Sequence, residues 1–373
     1  MAADDGTNRV GIVMAGGAGE RFWPISRASR PKQLLSFGLG RGTLLQQAVD
    51  RLGPLMPHES LFIVTGGHLR DAIVQADTGV PPGQVLAEPC RRSTLGCIAY
   101  ATAYVLARAE QDPAATTFAI VPSDHFVTDA EAFGRDVRTA MAAAEHDDAL
   151  VVIGVPPTRP ATGFGYIEIP ADAAPVPAGE PVVWPVASFR EKPSPETARD
   201  FLDAGRFYWN IGAFFWRVSA FLGELEAARP AVADLVGQMA AALRNEDTQQ
   251  AHRIFAQLPD ISIDYALMER ARRVRMVRAS FSWDDVGAWG ALHRIAPQDG
   301  DGNVAVGDPV LVACRDCVVY NEPGAEEMPV AVVGMDGVVV AVAEDGVLVA
   351  PASRAQEVRD AVAALKKRGS EHV

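Results

Sequence analysis

Cysteine is scarce in this chain of 373 residues, which holds four. A disulfide-stapled scaffold is therefore excluded. Cys314 and Cys317 form a CxxC, leaving half a zinc site or a redox pair open beside two ordinary strand cysteines. Cys90 and Cys97 lie far upstream and complete no obvious four-ligand set. Histidine is also sparse, and beyond Ala296 only His372 remains, so a His-rich metal cluster has no material there. Positive charge is in deficit, with 34 Lys and Arg against 47 Asp and Glu and a formal net charge of −13. Such a chain is no general nucleic-acid binder, because phosphate backbones reward summed positive charge. Any phosphate recognition must be local. Long apolar runs are missing too: stretches such as Val338 to Ala343 are broken by Asp, Glu or Gly well short of the ~20 residues of a membrane span. No transmembrane helix is expected. Met1 to Asn8 is acidic and small where a secretory signal is basic and then apolar. It reads as a disordered tail, residues 1–8, on a cytoplasmic protein.

What is present is an ordinary globular composition, 49% hydrophobic and 22% charged. At roughly 150 residues per domain, its length suggests about two domains. The first half alternates short β-branched runs with amphipathic stretches, the pattern of βαβ units in a parallel sheet covered by helices. Val10 to Ala15, Leu61 to Thr65, Phe118 to Pro122 and Leu150 to Val155 are the expected strands. Thr43 to Leu52, Ser93 to Glu110 and Ala130 to Ala144 are expected helices. The fold class is thus a doubly wound α/β domain, with ligands expected in the loops after Ala15, Pro122 and Val155. Strands at Tyr166 to Ile169 and Val182 to Phe189 follow in a Pro- and Gly-rich insertion. Helical patterns then run over Ser194 to Ala204, Val218 to Asn245 and Ile263 to Ala271. From Asn303 to Ala350 the chain is Val-rich, with Asp-Gly pairs at Asp336-Gly337 and Asp345-Gly346 that favour tight turns. This is a small all-β domain, closed by a helix that Ser353 and Gln356 open as a capping box.

Val10 to Ala15 runs directly into Gly16-Gly17-Ala18-Gly19-Glu20-Arg21. Glycines let backbone N–H groups turn toward an anion, and a helix start beyond them adds its positive end. A tight strand-to-helix turn is the competing reading. A dinucleotide fingerprint is excluded because Leu34 to Leu39 lacks the acid that would hold a ribose. A Walker loop is excluded because Glu20 and Arg21, not Lys and Ser or Thr, follow Gly19.

The loop continues through Phe22, Trp23, Pro24 and Ser26 to Pro31-Lys32-Gln33. Together these residues give G-G-x-G-x-R-x-x-P-x-S…P-K, which resembles the signature of the sugar nucleotidyltransferases, and the P-K-Q form looks like the mannose-1-phosphate guanylyltransferases. Further matches occur in the family's order: Ser123-Asp124-His125, Thr162-Gly163-Phe164-Gly165-Tyr166, Glu191-Lys192-Pro193, Trp209-Asn210-Ile211-Gly212 and Trp283-Asp284-Asp285-Val286-Gly287. Ile263-Asp264-Tyr265 is similar as well, though Asp264 reads equally as a helix cap. One segment departs: the family's E-P-x-x-R-N-T-A-P stands here as Glu88-Pro89-Cys90-Arg91-Arg92-Ser93-Thr94-Leu95-Gly96.

The resemblance implies a Rossmann-like doubly wound mixed-sheet nucleotidyltransferase domain over residues 9–296. A small β-helix-like C-terminal domain ending in a helix occupies residues 297–373. The resemblance also implies GTP and mannose 1-phosphate as substrates and Mg²⁺ held by Asp124 and Asp285. Arg21 and Lys32 are the implied catalytic cations. Ala15, Gly16, Gly17, Gly19, Glu88, Arg92, Ser93, Thr94 and Ser123 would meet the nucleotide. Gly163, Tyr166, Glu191, Lys192 and Asn210 would meet the sugar phosphate. A non-catalytic nucleotide-sugar-binding paralogue is the rival reading, as is transfer to another sugar 1-phosphate or from another NTP. Isomerase activity is not expected, since it would need the missing histidine cluster. A homodimer is expected, with strand edges of the β domain covered by the second subunit.

Overall fold

Alternation is absent from the first strand, β1 (Asn8–Ala15), whose Val10 to Val13 are all buried. Burial on both faces is what a central parallel strand requires. The computed structural model describes residues 8–17, 19–38, 42–108, 112–173, 182–322 and 328–373. Of the expected tail, residues 1–7 lie outside the described residues, and Asn8 already belongs to β1. The chain divides into two compact units, one of Met1–Ala15, Val49–Pro122 and Thr128–Ser282, the other of Gly16–Ala48, Ser123–Val127 and Trp283–Val373.

The first unit holds a 10-stranded mixed sheet among the described residues. Its remaining strands are β2 (Leu61–Gly66), β3 (Val85–Glu88), β4 (Thr116–Pro122), β5 (Leu150–Val155), β6 (Gly165–Glu168), β7 (Val183–Pro185), β8 (Ser188–Glu191), β9 (Phe207–Arg217) and β10 (Val274–Arg278). The order is β3-β2-β1-β4-β9-β5-β10-β7, with β6 pairing β9 and β8. β1 lies parallel between β2 and β4, whereas β9 runs antiparallel to β4 and β5. The expected α/β fold is thus present, with the helix Ser93–Ala107 buried on nearly every side, Leu95 to Ala103 included. Its apolar surface joins one core with Val232, Val236 and Met239 of the helix Pro230–Arg244.

Local expectations fail where proline or backbone geometry intervenes. Val218 to Asn245 is not one helix but two, Val218–Ala228 and Pro230–Arg244, because Pro230 lacks the N–H an interior position needs and starts a new first turn instead. Val182 to Phe189 is two short strands, β7 and β8, broken after Pro185. Ile263 to Ala271 is a single π-turn, Asp264–Met268. The helix Thr248–Phe255, capped by the Asp247 side chain on Gln250 N, is not among the expected elements, although Ala251, Ile254 and Phe255 stand at helical spacing and are buried.

In the second unit Phe22, Ile25, Leu35, Phe37 and Leu44 share a core with Val286, Trp289, Tyr320, Val339 and Ala341. The Phe22 ring meets Phe37 and Trp289 edge-on, at centroid distances of 4.8 and 5.4 Å. Parallel pairing links Val304–Val306 to Val318–Asn321 and that strand to Val338–Ala343, while Val310–Val312 pairs Ala331–Val333. These are the rungs of a short β-helix. The Asp345 turn joins an antiparallel hairpin with Gly346–Pro351, but the Asp336-Gly337 turn is a rung corner. Cys314 and Cys317 are buried free thiols hydrogen-bonded to carbonyl oxygens of Val332 and Met335; they lie in the segment between the strands Val310–Val312 and Val318–Asn321, not within strands as expected. The terminal helix is Val358–Lys367; Ser353 lies in the preceding 3-10 segment Ala352–Glu357 and opens no capping box.

Candidate active site

β1 ends at Ala15, whose carbonyl accepts a hydrogen bond from Thr65 Oγ1 at 2.7 Å. Beyond it, in the second unit, Gly16 and Gly17 are exposed and a Cβ on either would meet nothing within 4 Å. Gly19 is different. Its φ is +61°, and a Cβ there would lie 2.5 Å from Lys32 Cβ. Ser26 Oγ donates to Gly19 O at 2.8 Å, so glycine, serine and lysine of the signature fix one another. The loop leads into the 3-10 turn Glu20–Phe22 rather than the expected helix, and this turn lacks the aligned peptides that make a strong dipole. Anion binding in this loop must rest on its backbone N–H groups and cations.

Lys32, Asp124 and Asp285 converge in the same unit. Lys32 Nζ donates to Asp124 Oδ2 at 2.9 Å and to the carbonyl of Asp285 at 2.5 Å. Burial works to raise the Asp124 pKa, but Lys32 and His125 outweigh it and hold the carboxylate below its ordinary value. Asp285 is shifted the other way, by burial first and by Asp284 next. Its carboxylate folds back so that a Cβ on Gly287 would come within 2.7 Å of Oδ2, which is why a glycine stands two residues later. Asp284 is committed elsewhere: Arg294 grips it through Nε at 2.6 Å and Nη2 at 3.0 Å, and Val286 N donates to it at 2.8 Å. Val286 itself has φ +45°, a left-handed conformation that β-branched residues rarely adopt. Trp283 Nε1 donates to His125 Nδ1 at 3.1 Å, and Nε2 of that ring lies 3.8 Å from Asp124.

In the first unit Glu88 closes β3 and is mostly buried, not solvated as a simple strand-ending turn would leave it; desolvation pushes its pKa up to about 8. Gly96 explains part of the departure from the family pattern, for a Cβ there would lie 2.3 Å from Arg92 Cβ and 3.5 Å from Glu88 Oε1. Ser93 stands at φ +53°, a conformation asparagine tolerates better. Arg92 spends its terminal nitrogens on the carbonyls of Arg91 and Ala256, and Thr94 Oγ1 accepts from Ile263 N at 2.9 Å.

The residues matched to the sugar side also lie in the first unit. Gly163 is in an exposed loop. Tyr166 is fully buried and donates to Ala161 O at 2.9 Å, so it anchors that loop. Lys192, at φ +47°, turns its ammonium back onto Glu191 Oε1 at 2.7 Å. Asn210 lies at an irregularity of β9, where its Oδ1 accepts from Gly212 N at 3.1 Å and its Nδ2 donates to Asp264 Oδ1 at 3.0 Å. Asp264, which in sequence reads equally as a helix cap, is thus brought to the sugar-side residues; the motif match was its only signal. It heads a π-turn, a geometry frequent at functional sites.

Arg21 Nε, Glu88 Oε1, Arg92 Nε and Ser123 Oγ are buried and have no hydrogen-bond partner among the described residues. Folded proteins pair roughly 90% or more of such atoms. Buried atoms of the same kind also occur on Thr117, Trp184, Trp216 and Arg229, away from the residues assigned to the nucleotide.

A nucleotidyl transferase family model matches residues 10–302, and a MannoseP isomerase/GMP-like beta-helix domain model matches residues 307–365. The xanthan biosynthesis protein XanB of Xanthomonas campestris pv. campestris (strain B100) is 36% identical over 361 residues, 96% of this chain and 73% of that protein. The mannose-1-phosphate guanylyltransferase of Escherichia coli is 34% identical over 367 residues, 95% of this chain and 74% of its own length. Among solved structures, a mannose-1-phosphate geranyltransferase from Thermus thermophilus is similar with a TM-score of 0.83 at 35% identity, covering 96% of this chain and 100% of that one. No helix among the described residues is long and apolar enough to cross a membrane. With the signature loop, the fold and relatives alike along nearly its whole length, the chain belongs to the mannose-1-phosphate guanylyltransferase family of nucleotidyl transferases.

Proposed function

We propose that this protein transfers the guanylyl group of GTP to mannose 1-phosphate, giving GDP-mannose and pyrophosphate, with Mg²⁺ as cofactor. The observation that carries the reading is the meeting of Lys32, Asp124 and Asp285 within one compact unit, beside the signature glycine Gly19, which sets one cation and two acids where a triphosphate and its metal would be held.

The donor set fits the metal. Asp124 and Asp285 are close enough for each to bear on the other's charge, and a cation already stands at Asp124 in the form of the Lys32 ammonium. Burial first and the Asp284 charge next raise the Asp285 pKa, and a divalent ion at that carboxylate would offset both. Mg²⁺ takes one or two carboxylates and completes its shell with phosphate oxygens and water, so two acids suffice. Bound by them, it would supply Lewis-acid neutralisation of phosphate charge.

An oxygen of the sugar phosphate attacks the α-phosphorus in line as the bond to the β-phosphate bridging oxygen breaks and pyrophosphate leaves with the electron pair. No proton transfer is required of the protein, and catalysis rests on positioning and charge. Arg21 and Lys32 neutralise charge on the triphosphate and on the departing pyrophosphate. Lys32 is buried and fixed at both of its acceptors, so it needs little reorganisation as charge moves. Glu88 takes the guanine N1–H and 2-amino donors, a pair that adenine lacks. Lys192 holds the sugar's phosphate, while Glu191 and Asn210 meet hydroxyls.

The test is pyrophosphate release from GTP and mannose 1-phosphate, with Mg²⁺ and then with excess EDTA. Release that needs both substrates and the metal supports the reading. A protein that binds GDP-mannose but releases no pyrophosphate is the non-catalytic paralogue instead.

A further inference from the structure

Asp264 is an acid to which the proposed reaction gives no role. Its surroundings come from separate segments: Glu191 and Lys192 from the end of β8, Asn210 from β9, and Ser262 and Tyr265 from its own turn. The Asn210 amide cannot choose its orientation. Gly212 N holds its oxygen, so the NH₂ must face Asp264 Oδ1, 3.0 Å away. Glu191 is also constrained, with Oε1 on Lys192 Nζ and Oε2 so close to Gly165 that a Cβ there would lie 2.5 Å from it. Burial and the neighbouring Glu191 charge both push the Asp264 pKa upward, and Lys192 only partly offsets them. Asp264 and Glu191 therefore set two carboxylates against the Lys192 ammonium, with a third, Glu269, accepting from Glu191 N at 3.0 Å.

A π-turn alone does not need a carboxylate there. Tyr265 beside it is 39% exposed and the Lys192 side chain 53% exposed, so the cluster opens to solvent. A neutral group that donates hydrogen bonds is what such an arrangement favours, since a further anion is repelled and an apolar group leaves the acids unpaired.

We propose that Asp264 is a specificity-determining residue for the sugar, its carboxylate accepting a hydrogen bond from one hexose hydroxyl while the Asn210 NH₂ donates to the same oxygen. The inference rests on the sugar 1-phosphate reading and adds a residue to it. A hydroxyl is the group that donates and accepts at once, and the carboxylate and amide lie side by side to meet both needs. An analogue without that hydroxyl leaves the acid one hydrogen bond short, a penalty larger than that of losing an apolar contact.

The experiment compares wild type and Asp264→Asn with mannose 1-phosphate and its 2-, 3-, 4- and 6-deoxy analogues, read as pyrophosphate release. The expected result is a KM for mannose 1-phosphate raised about tenfold or more in the variant, with the KM for GTP within about twofold. At one deoxy position, the wild-type penalty should shrink by about tenfold or more in Asp264→Asn, since the amide oxygen that can still accept is neutral. Penalties unchanged at every position, or equal shifts in both KM values, overturn the inference. If Asp264→Asn does not fold, Asp264→Ser, which retains a hydroxyl for Asn210, is carried through the same series; failure of both to fold makes Asp264 structural and likewise overturns it. A wild type that prefers another sugar 1-phosphate contradicts the mannose reading alone, and that sugar's deoxy analogues then decide Asp264. A wild type that uses no sugar 1-phosphate removes both.

Discussion

Gly19 and Lys32 touch so closely that a single Cβ on the glycine would come within 2.5 Å of the lysine Cβ and 2.8 Å of its backbone nitrogen. The signature glycine and the signature lysine are thus one steric unit, and Lys32 reaches Asp124 and Asp285 from it.

Gly19→Ala should accordingly disable the site more than it weakens the fold. The substitution adds strain at φ +61° and pushes Lys32 away from Asp124, on a scale of about 1–3 kcal/mol for the backbone alone. The expected outcome is a fall of at least about a hundredfold in kcat/KM, with Tm lowered by several degrees; Gly16→Ala, with open space around its Cβ position, should lose far less in both. Steady-state pyrophosphate release and a thermal melt check the pair.

Asp284 and Asp285 are adjacent in sequence and should separate cleanly in experiment. Removing the Asp284 charge takes the partner from Arg294, whose half-exposed guanidinium water can partly re-solvate, so Asp284→Asn should destabilise by about 1–2 kcal/mol. Asp285→Asn removes a carboxylate that burial and Asp284 already disfavour, so its fold should be as stable as wild type or slightly more. Its turnover should nevertheless drop by about a hundredfold or more, because an amide lacks the anionic donor Mg²⁺ requires. Denaturant unfolding and kcat at saturating Mg²⁺ give the two answers.

Much of the fold and site is legible in the sequence, and the limits have physical causes. Strands β1, β2, β4 and β5 emerge from β-branched runs bounded by loops, and the glycine loop emerges from a spacing long enough to be specific. Pro230 alone shows where one expected helix becomes two. The composition shift after Ala296 marks the β domain, but no local pattern could show that Gly16–Ala48 packs into the same compact unit as Trp283–Val373, because that grouping is made by side chains such as Phe22 and Trp289 meeting across the chain. For the same reason the sequence names Glu191, Lys192 and Asn210 but leaves Asp264 between two readings. A carboxylate's hydrogen-bond partners are a property of three dimensions, whereas a glycine turn is largely a property of neighbours in sequence.

Glu88 carries a prediction for stability against pH. Its folded pKa, about 8, lies above its ordinary value, so between about pH 5 and 8 the folded protein holds a proton that the unfolded chain has released. Stability from this group is therefore full at low pH and declines as pH rises through that window. Glu88→Gln should flatten that decline, and the variant should gain on wild type by about 1–3 kcal/mol at pH 8 in the absence of nucleotide. Chemical denaturation at pH 5 and pH 8 measures the difference. The same variant should narrow the preference for GTP over ATP, since an amide accepts only one of guanine's two donor bonds.

The pairing of guanine nucleotide with mannose 1-phosphate is decided by kcat/KM for pyrophosphate release with GTP, ATP, UTP and dTTP against the 1-phosphates of mannose, glucose and N-acetylglucosamine. GTP with mannose 1-phosphate should exceed every other pair, and GTP should exceed ATP by about a hundredfold if Glu88 is desolvated as its burial indicates. A higher value for any other pair, or a rate indifferent to the base, would refute the guanylyltransferase assignment.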